Sequence, residues 1–242
     1  MPALLATAIL SLIAASSAVA GGHRDKDKDK DKDKDKEVRI FPPDSEPFGK
    51  SYGEWAASFW QWFLEYPLPG NPALEQPNPF DLSARQSGKV WFWAAPDFGE
   101  RVATLPAGTA LFLTLRDVEC SSLEPEESGF LGDTAEEQRA CAKFWADHIV
   151  DVFCIIDGVP VENIQAYRFS SPQVSFTAPT PWIFGDTGGA GTCVGDGYFL
   201  MLAPLPKGQH TIHYGGTFRF TLEEDGFEAE FPKDITIILT VK

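Results

Sequence analysis

The sequence predicts a mainly β (α+β) domain: an immunoglobulin-like or jelly-roll β-sandwich with two amphipathic helices packed on it. Three observations carry this expectation. Short apolar segments recur with turn signals roughly every 8 to 12 residues, as in two-sheet proteins. Several of these segments are apolar on both faces, so each must be covered from two sides. Two further stretches have helical periodicity and begin with a capping box.

Taken in order, the chain opens MPALLATAILSLIAASSAVAGG, an apolar run followed by Ala18-Val19-Ala20. Small residues after a short apolar run are the pattern of a secretory signal peptide. Residues 1–20 are therefore expected to be removed near Ala20, placing the mature protein in the periplasm or outside the cell. No later segment reaches the roughly 18 apolar residues of a membrane span. Residues 21–39 include HRDKDKDKDKDKDKEVR. Alternating charges leave nothing to bury in either a strand or a helix, so a disordered charged linker is expected. Residues 24–39 hold eight of the 20 basic and seven of the 35 acidic residues, which leaves 12 and 28, a net charge of −16. A field of that sign repels phosphate backbones and argues against nucleic acid as a partner.

Residues 40–242 are expected to form a single domain, with helices near 52–65 and 134–150. In SYGEWAASFWQWFLEYP, Ser51 and Glu54 form a capping box and Pro67 stops the run. At 100° per residue, Tyr52, Trp55, Ala56, Phe59, Trp60, Trp62, Phe63 and Tyr66 share about 160° of arc. Glu54, Ser58, Gln61 and Glu65 fall opposite, so the aromatic face belongs to a core. KVWFWA and ALFLTL are apolar on both faces and offer the helix a sheet to cover. Thr134 and Glu137 cap the second helix.

Beyond Asp151 the signals are almost all β. DVFCIIDGVPV places Asp157-Gly158 between apolar arms, a type I′ hairpin signal. PTPWIFGDTGGAGTCVGDG suggests a long glycine-rich surface loop, and YFLMLAPL another two-sided strand. DITIILTVK sets Ile235, Ile237, Leu239 and Val241 on one face. The segment LAPLPKGQHTIHYGG, followed by a terminal alternating strand, resembles the last strands of extracellular immunoglobulin-like modules. SYGEWAASFWQWF, KVWFWA, LPAGTALFLTLRDVECSSLE and DGYFLMLAPLPKGQHTIHYGG together are similar to an uncharacterised group of exported bacterial proteins. That resemblance implies export and no particular activity.

Four cysteines in an exported chain predict disulfides. Cys120 with Cys141 and Cys154 with Cys193 are the favoured pairs, among three connectivities. Their spacing fits no zinc pattern. His210 and His213 stand three apart in a strand, on opposite faces, and cannot share a metal. There is no G-x-S-x-G elbow, and the glycine-rich stretch lacks the lysine of a phosphate loop.

The acidic run RDVECSSLEPEE reads first as a solvated acidic loop, and it is also the best chemical candidate. Asp117 and Glu119 are two apart and share a face, while Glu124, Glu126 and Glu127 follow on a loop. Oxygen ligands at this density are the set that Ca²⁺ takes, and no other cofactor is implied. Two such carboxylates could also serve as acid and base on a glycoside or ester. With no recognisable catalytic constellation, the expected function is a non-enzymatic binding or structural module for a cell-surface, glycan or protein partner. A secreted hydrolase acting through Asp117 and Glu119 is the alternative.

Overall fold

A computed structural model describes residues 38–242 apart from Glu75; the expected signal peptide and the Asp-Lys tract lie outside the described residues. The folded body begins slightly earlier than the sequence suggests. Val38 packs on the core, and the Arg39 carbonyl accepts a bond from Ala203 N, so residues 38 and 39 belong to the domain and not to the linker.

Two sheets form the core, as expected for a β-sandwich with helices. The first contains β1 (Val90–Trp93), β3 (Ala110–Ser121) and β8 (Gly189–Leu202) in that order, with β6 (Arg168–Ser170) and β7 (Val174–Ala178) both pairing with β8. The second has the order β2 (Phe98–Leu105), β10 (Ala229–Val241), β9 (Gly208–Phe220), β4 (Ile149–Ile156), β5 (Val159–Pro160). Most pairs are antiparallel, but β1 runs parallel to β3 and β2 parallel to β10. Asp157 (φ 51°) and Gly158 (φ 81°) make the β4–β5 turn, the left-handed pair a type I′ hairpin requires.

The aromatic helix α1 (Tyr52–Leu64) is core, as its periodicity predicts. Both halves of its capping box are formed, Ser51 Oγ accepting from Glu54 N and Glu54 accepting from Ser51 N. Tyr52, Phe59, Trp60, Phe63 and Leu64 are buried, each contributing roughly 2 kcal/mol through area removed from water. Phe92 of β1 meets Trp55, Phe59 and Trp62, whereas Trp93, on the opposite face, donates to Tyr214 Oη of the second sheet at 2.9 Å. Strand β1 is therefore covered on both sides. On β10, Ile235, Ile237 and Leu239 are fully buried, and Val241 nearly so.

Helix α2 (Ala135–Asp147) is capped by Thr134 and Glu137 and tied to β3 by the Cys120–Cys141 disulfide. It is shorter than expected, because Ile149 and Val150 already belong to β4. The second predicted disulfide does not form. Cys154 lies on β4 of one sheet and Cys193 on β8 of the other, and both are buried free thiols. Burial pushes the Cys154 thiol up to about 12 and the Cys193 thiol higher still, so neither is a ready nucleophile.

The glycine-rich stretch is also corrected. Residues 189–197 are not a surface loop; with the predicted strand that starts at Tyr198 they form β8, a central strand that is buried from Cys193 onward. Its glycines permit close approaches. A Cβ on Gly195 would lie 2.1 Å from Trp60 Nε1, so the missing side chain makes room for the indole. Gly197 (φ +153°) faces Asp117 where the β3–β8 register shifts, and a Cβ there would lie 2.5 Å from Asp117 Cα.

Candidate functional site

The register shift between Thr114 and Arg116 separates the apolar half of β3 from a half that carries Arg116, Asp117 and Glu119. Strand pairing to β8 nevertheless continues to Ser121, so these polar residues stay inside the sandwich. They border a cavity of about 560 Å³ at the end where β3 and β9 finish and β10 begins. Its polar side is formed by Asp97, Arg116, Asp117, Glu119 and Glu124; its apolar side is formed by Trp60, Phe130, Trp145, Phe184, Phe218 and Phe231. The volume falls in the usual range for a small-molecule site.

Distant segments position these walls. Trp60 comes from α1, held against Gly195. Trp145 of α2 stacks on Phe130 with centroids 4.5 Å apart, and its Nε1 donates to Gly129 O at 3.1 Å. The disulfide fixes α2 beside β3 and thereby sets the position of this aromatic pair. Phe184 and Phe231 remain 37% and 52% exposed, which places them at the mouth.

The polar groups divide into paired and unpaired. Arg116 Nη1 donates to Asp97 at 2.6 Å and Nη2 to Phe231 O at 2.9 Å, while the guanidinium lies 4.3 Å over Phe218. By contrast Asp117 Oδ2, both carboxyl oxygens of Glu119, Arg116 Nε and Trp60 Nε1 are buried with no hydrogen-bond partner among the described residues. Buried polar atoms are seldom left this way, because each costs about 1–3 kcal/mol.

Their protonation follows from the surroundings. Burial pushes the Asp117 carboxyl up to about 6, against partial relief from Lys233 and Arg116. Burial likewise holds Glu119 well above the usual carboxylate range, and the neighbouring Glu124 carboxyl raises it further. Glu124 is raised by burial as well, with Ser128 and the adjoining Glu119 carboxyl opposing the shift. Lys233, on β10, is buried and lowered by desolvation, with Asp117 and Asp97 opposing that shift.

The sequence-predicted set is thus only partly assembled. Asp117, Glu119 and Glu124 border one cavity, whereas Glu126 and Glu127 sit exposed on a short 3₁₀ turn. Among the described residues no group of three His, Cys, Asp or Glu side chains has a metal-holding arrangement, and Glu126 and Glu127 stand outside the cavity that the other three border. A Ser-His-Asp arrangement also fails to assemble at the serines considered. Ser121 Oγ and Ser122 Oγ accept backbone bonds from Leu123 and Thr192. Both ring nitrogens of His148 are engaged, by Phe144 O and Asp225, and both of His210, by Asp157 and Pro206 O. His213 pairs with Asp234 instead.

Sequence reasoning missed the aromatic wall, Asp97, Arg116 and Lys233. Trp60 was legible as core but not as the lining of a cavity, and Phe218 and Phe231 had no local signal to mark them. A shallower depression of about 510 Å³ runs along Gln61, Glu65 and Ser175, but its polar groups already bond one another across α1 and β7. No family model, curated protein or solved structure matches this chain.

Proposed function

We propose that the protein is an exported binding module whose ligand is a small molecule held in the cavity between β3, α1, α2 and the β9–β10 end. One observation carries this reading: buried polar atoms without partners, chiefly both oxygens of Glu119, face an aromatic-walled space of ligand size. A structural role alone gives no return for such an arrangement, whereas a ligand would satisfy those atoms on binding. The Cys120–Cys141 disulfide and the absence of a membrane-length apolar helix among the described residues are compatible with export. Four carboxyls against one arginine in the lining disfavour phosphate-bearing ligands.

The test is a thermal-shift panel of sugars, amines, amino acids and carboxylic acids on the mature protein and on Glu119→Gln. A ligand class that raises the melting temperature of the parent but not of the variant is the expected result. If every stabilising compound acts equally on both proteins, the ligand sits elsewhere and the reading fails.

A hydrolase reading is favoured by one specific feature, two carboxyls of raised pKa bordering the same cavity. Chromogenic glycosides and esters, assayed in mildly acidic buffer, address it. Turnover that survives the paired change Asp117→Ala, Glu119→Ala removes these residues from any such chemistry.

A further inference from the structure

The charges lining the cavity do not balance, and the imbalance is confined to one side. Asp97 is neutralised by Arg116 at 2.6 Å. Asp117 has two cations nearby, Lys233 and Arg116. Glu119 and Glu124 have none among the described residues: what acts on Glu119 is its burial and Glu124 itself, and the Cys193 thiol beside it is uncharged. Among the described residues Arg116 is the only basic one in the lining, and its guanidinium is committed to Asp97, Phe231 O and the face of Phe218. Around this uncompensated pair stand Trp60, Phe130 and Trp145, whose ring faces attract cations.

We propose that the cavity takes a small organic cation, with an ammonium group seated on the Glu119 and Glu124 carboxyls and an apolar body against the aromatic wall. This rests on the binding reading above. The chemistry favours it over a neutral polyol. An ammonium supplies both hydrogen-bond donors for unpartnered carboxylate oxygens and the charge they lack. A polyol would leave the negative charge uncompensated in a desolvated site. An anion would face three carboxyls besides the already paired Asp97. A cavity of about 560 Å³ is far larger than an ammonium group, and the half-exposed Phe184 and Phe231 at its mouth suit an amine with an aromatic or aliphatic body. The net charge of −16 on residues outside the tract draws cations toward the protein. Binding has to weaken as the pH falls, because Glu119, Glu124 and Asp117 are raised and take up protons before ordinary carboxylates do.

The test is calorimetric titration of the mature protein with phenethylammonium and with 2-phenylethanol, its neutral counterpart. At about pH 8 the amine should bind at least about tenfold more tightly than the alcohol, and acidifying to about pH 5 should erase most of that preference. Glu119→Gln and Glu124→Gln should each weaken the amine about tenfold, while Glu126→Gln, on the exposed turn, should not. Either of the first two suffices if the other fails to fold. Alcohol binding as tight as amine binding, no amine binding, or unchanged amine affinity in the Gln variants overturns the proposal. The binding reading survives that result if the alcohol, or another class in the thermal-shift panel, is lost in Glu119→Gln. It falls too if no compound depends on Glu119.

Discussion

Raising the pH from about 4.5 to 7 should destabilise the protein, and Asp117→Asn should remove a defined share of that loss. Asp117 titrates at about 6 in the fold, against an ordinary 3.8. In between, the native state holds a proton that the unfolded chain has released, so each step up in pH favours unfolding. The full difference is about 3 kcal/mol, of which about 2 kcal/mol is lost between pH 4.5 and 7. For a domain of this size the loss in that window corresponds to a fall in Tm of about 4–8 °C. Glu119 and Glu124 are raised as well and add in the same direction. Glu54, Glu137 and Asp225 act oppositely, lowered by backbone bonds from Ser51, Thr134 and Thr221. Their contribution is present above the unfolded carboxylate range and is lost only as the pH falls below about 4. The two sets work in separate windows, which puts maximum stability in mildly acidic solution. Urea denaturation followed by tryptophan fluorescence across this range gives the slope directly. Asn at 117 removes the carboxylate that most favours the charged form of buried Lys233, leaving it Asp97 and Ala95 O, and shifts the whole curve, so the slope is the readout and not the absolute stability. General repulsion among the many carboxylates persists in the variant. A slope unchanged by Asp117→Asn, or stability that rises toward neutral pH in the parent, would refute the argument.

Two further outcomes follow from the packing. Non-reducing peptide mapping should join Cys120 to Cys141 and leave Cys154 and Cys193 unlabelled by alkylating reagents until the protein is denatured; Cys141→Ser should cost about 3 kcal/mol in the chain-entropy account of a closed loop of this length. Gly195→Ala should destabilise by about 2 kcal/mol or more, because the added methyl meets the Trp60 indole at 2.1 Å, and circular dichroism melts would show it; a neutral effect would mean that α1 does not rest on β8 at that point.

Much of this architecture was legible where local and tertiary signals agree. The Ser51 and Glu54 box, the proline stop and the single aromatic arc describe α1 completely, since the same face that sets the periodicity is the one that packs. Alternation at Ile235, Ile237 and Leu239 does the same for β10. Glycine misled where its role is tertiary: GAGTCVGDG has loop composition, yet Gly195 and Gly197 are strand residues that yield space to Trp60 and to the Asp117 backbone. An even cysteine count suggested a second bridge, but Cys154 and Cys193 behave as small buried apolar side chains in opposite sheets. Asp117 and Glu119 stood out as a pair from their spacing. The cavity they border did not, because its other walls come from distant parts of the chain, Trp60 on α1 and Phe218 and Phe231 on β9 and β10.

The central claim is that the cavity beside Glu119 is where a ligand binds, and the indole N–H resonances of the tryptophans test it most directly. Trp60 Nε1 has no partner among the described residues and borders the cavity with Trp145, whereas Trp55 and Trp62 line a separate groove and donate to Pro47 O and Arg85 O. Titrating phenethylammonium into ¹⁵N-labelled protein at about pH 8 should shift the Trp60 and Trp145 signals and leave Trp55 and Trp62 in place. Shifts confined to Trp55 and Trp62, or no shift at Trp60 under a ligand that stabilises the protein, would contradict the account.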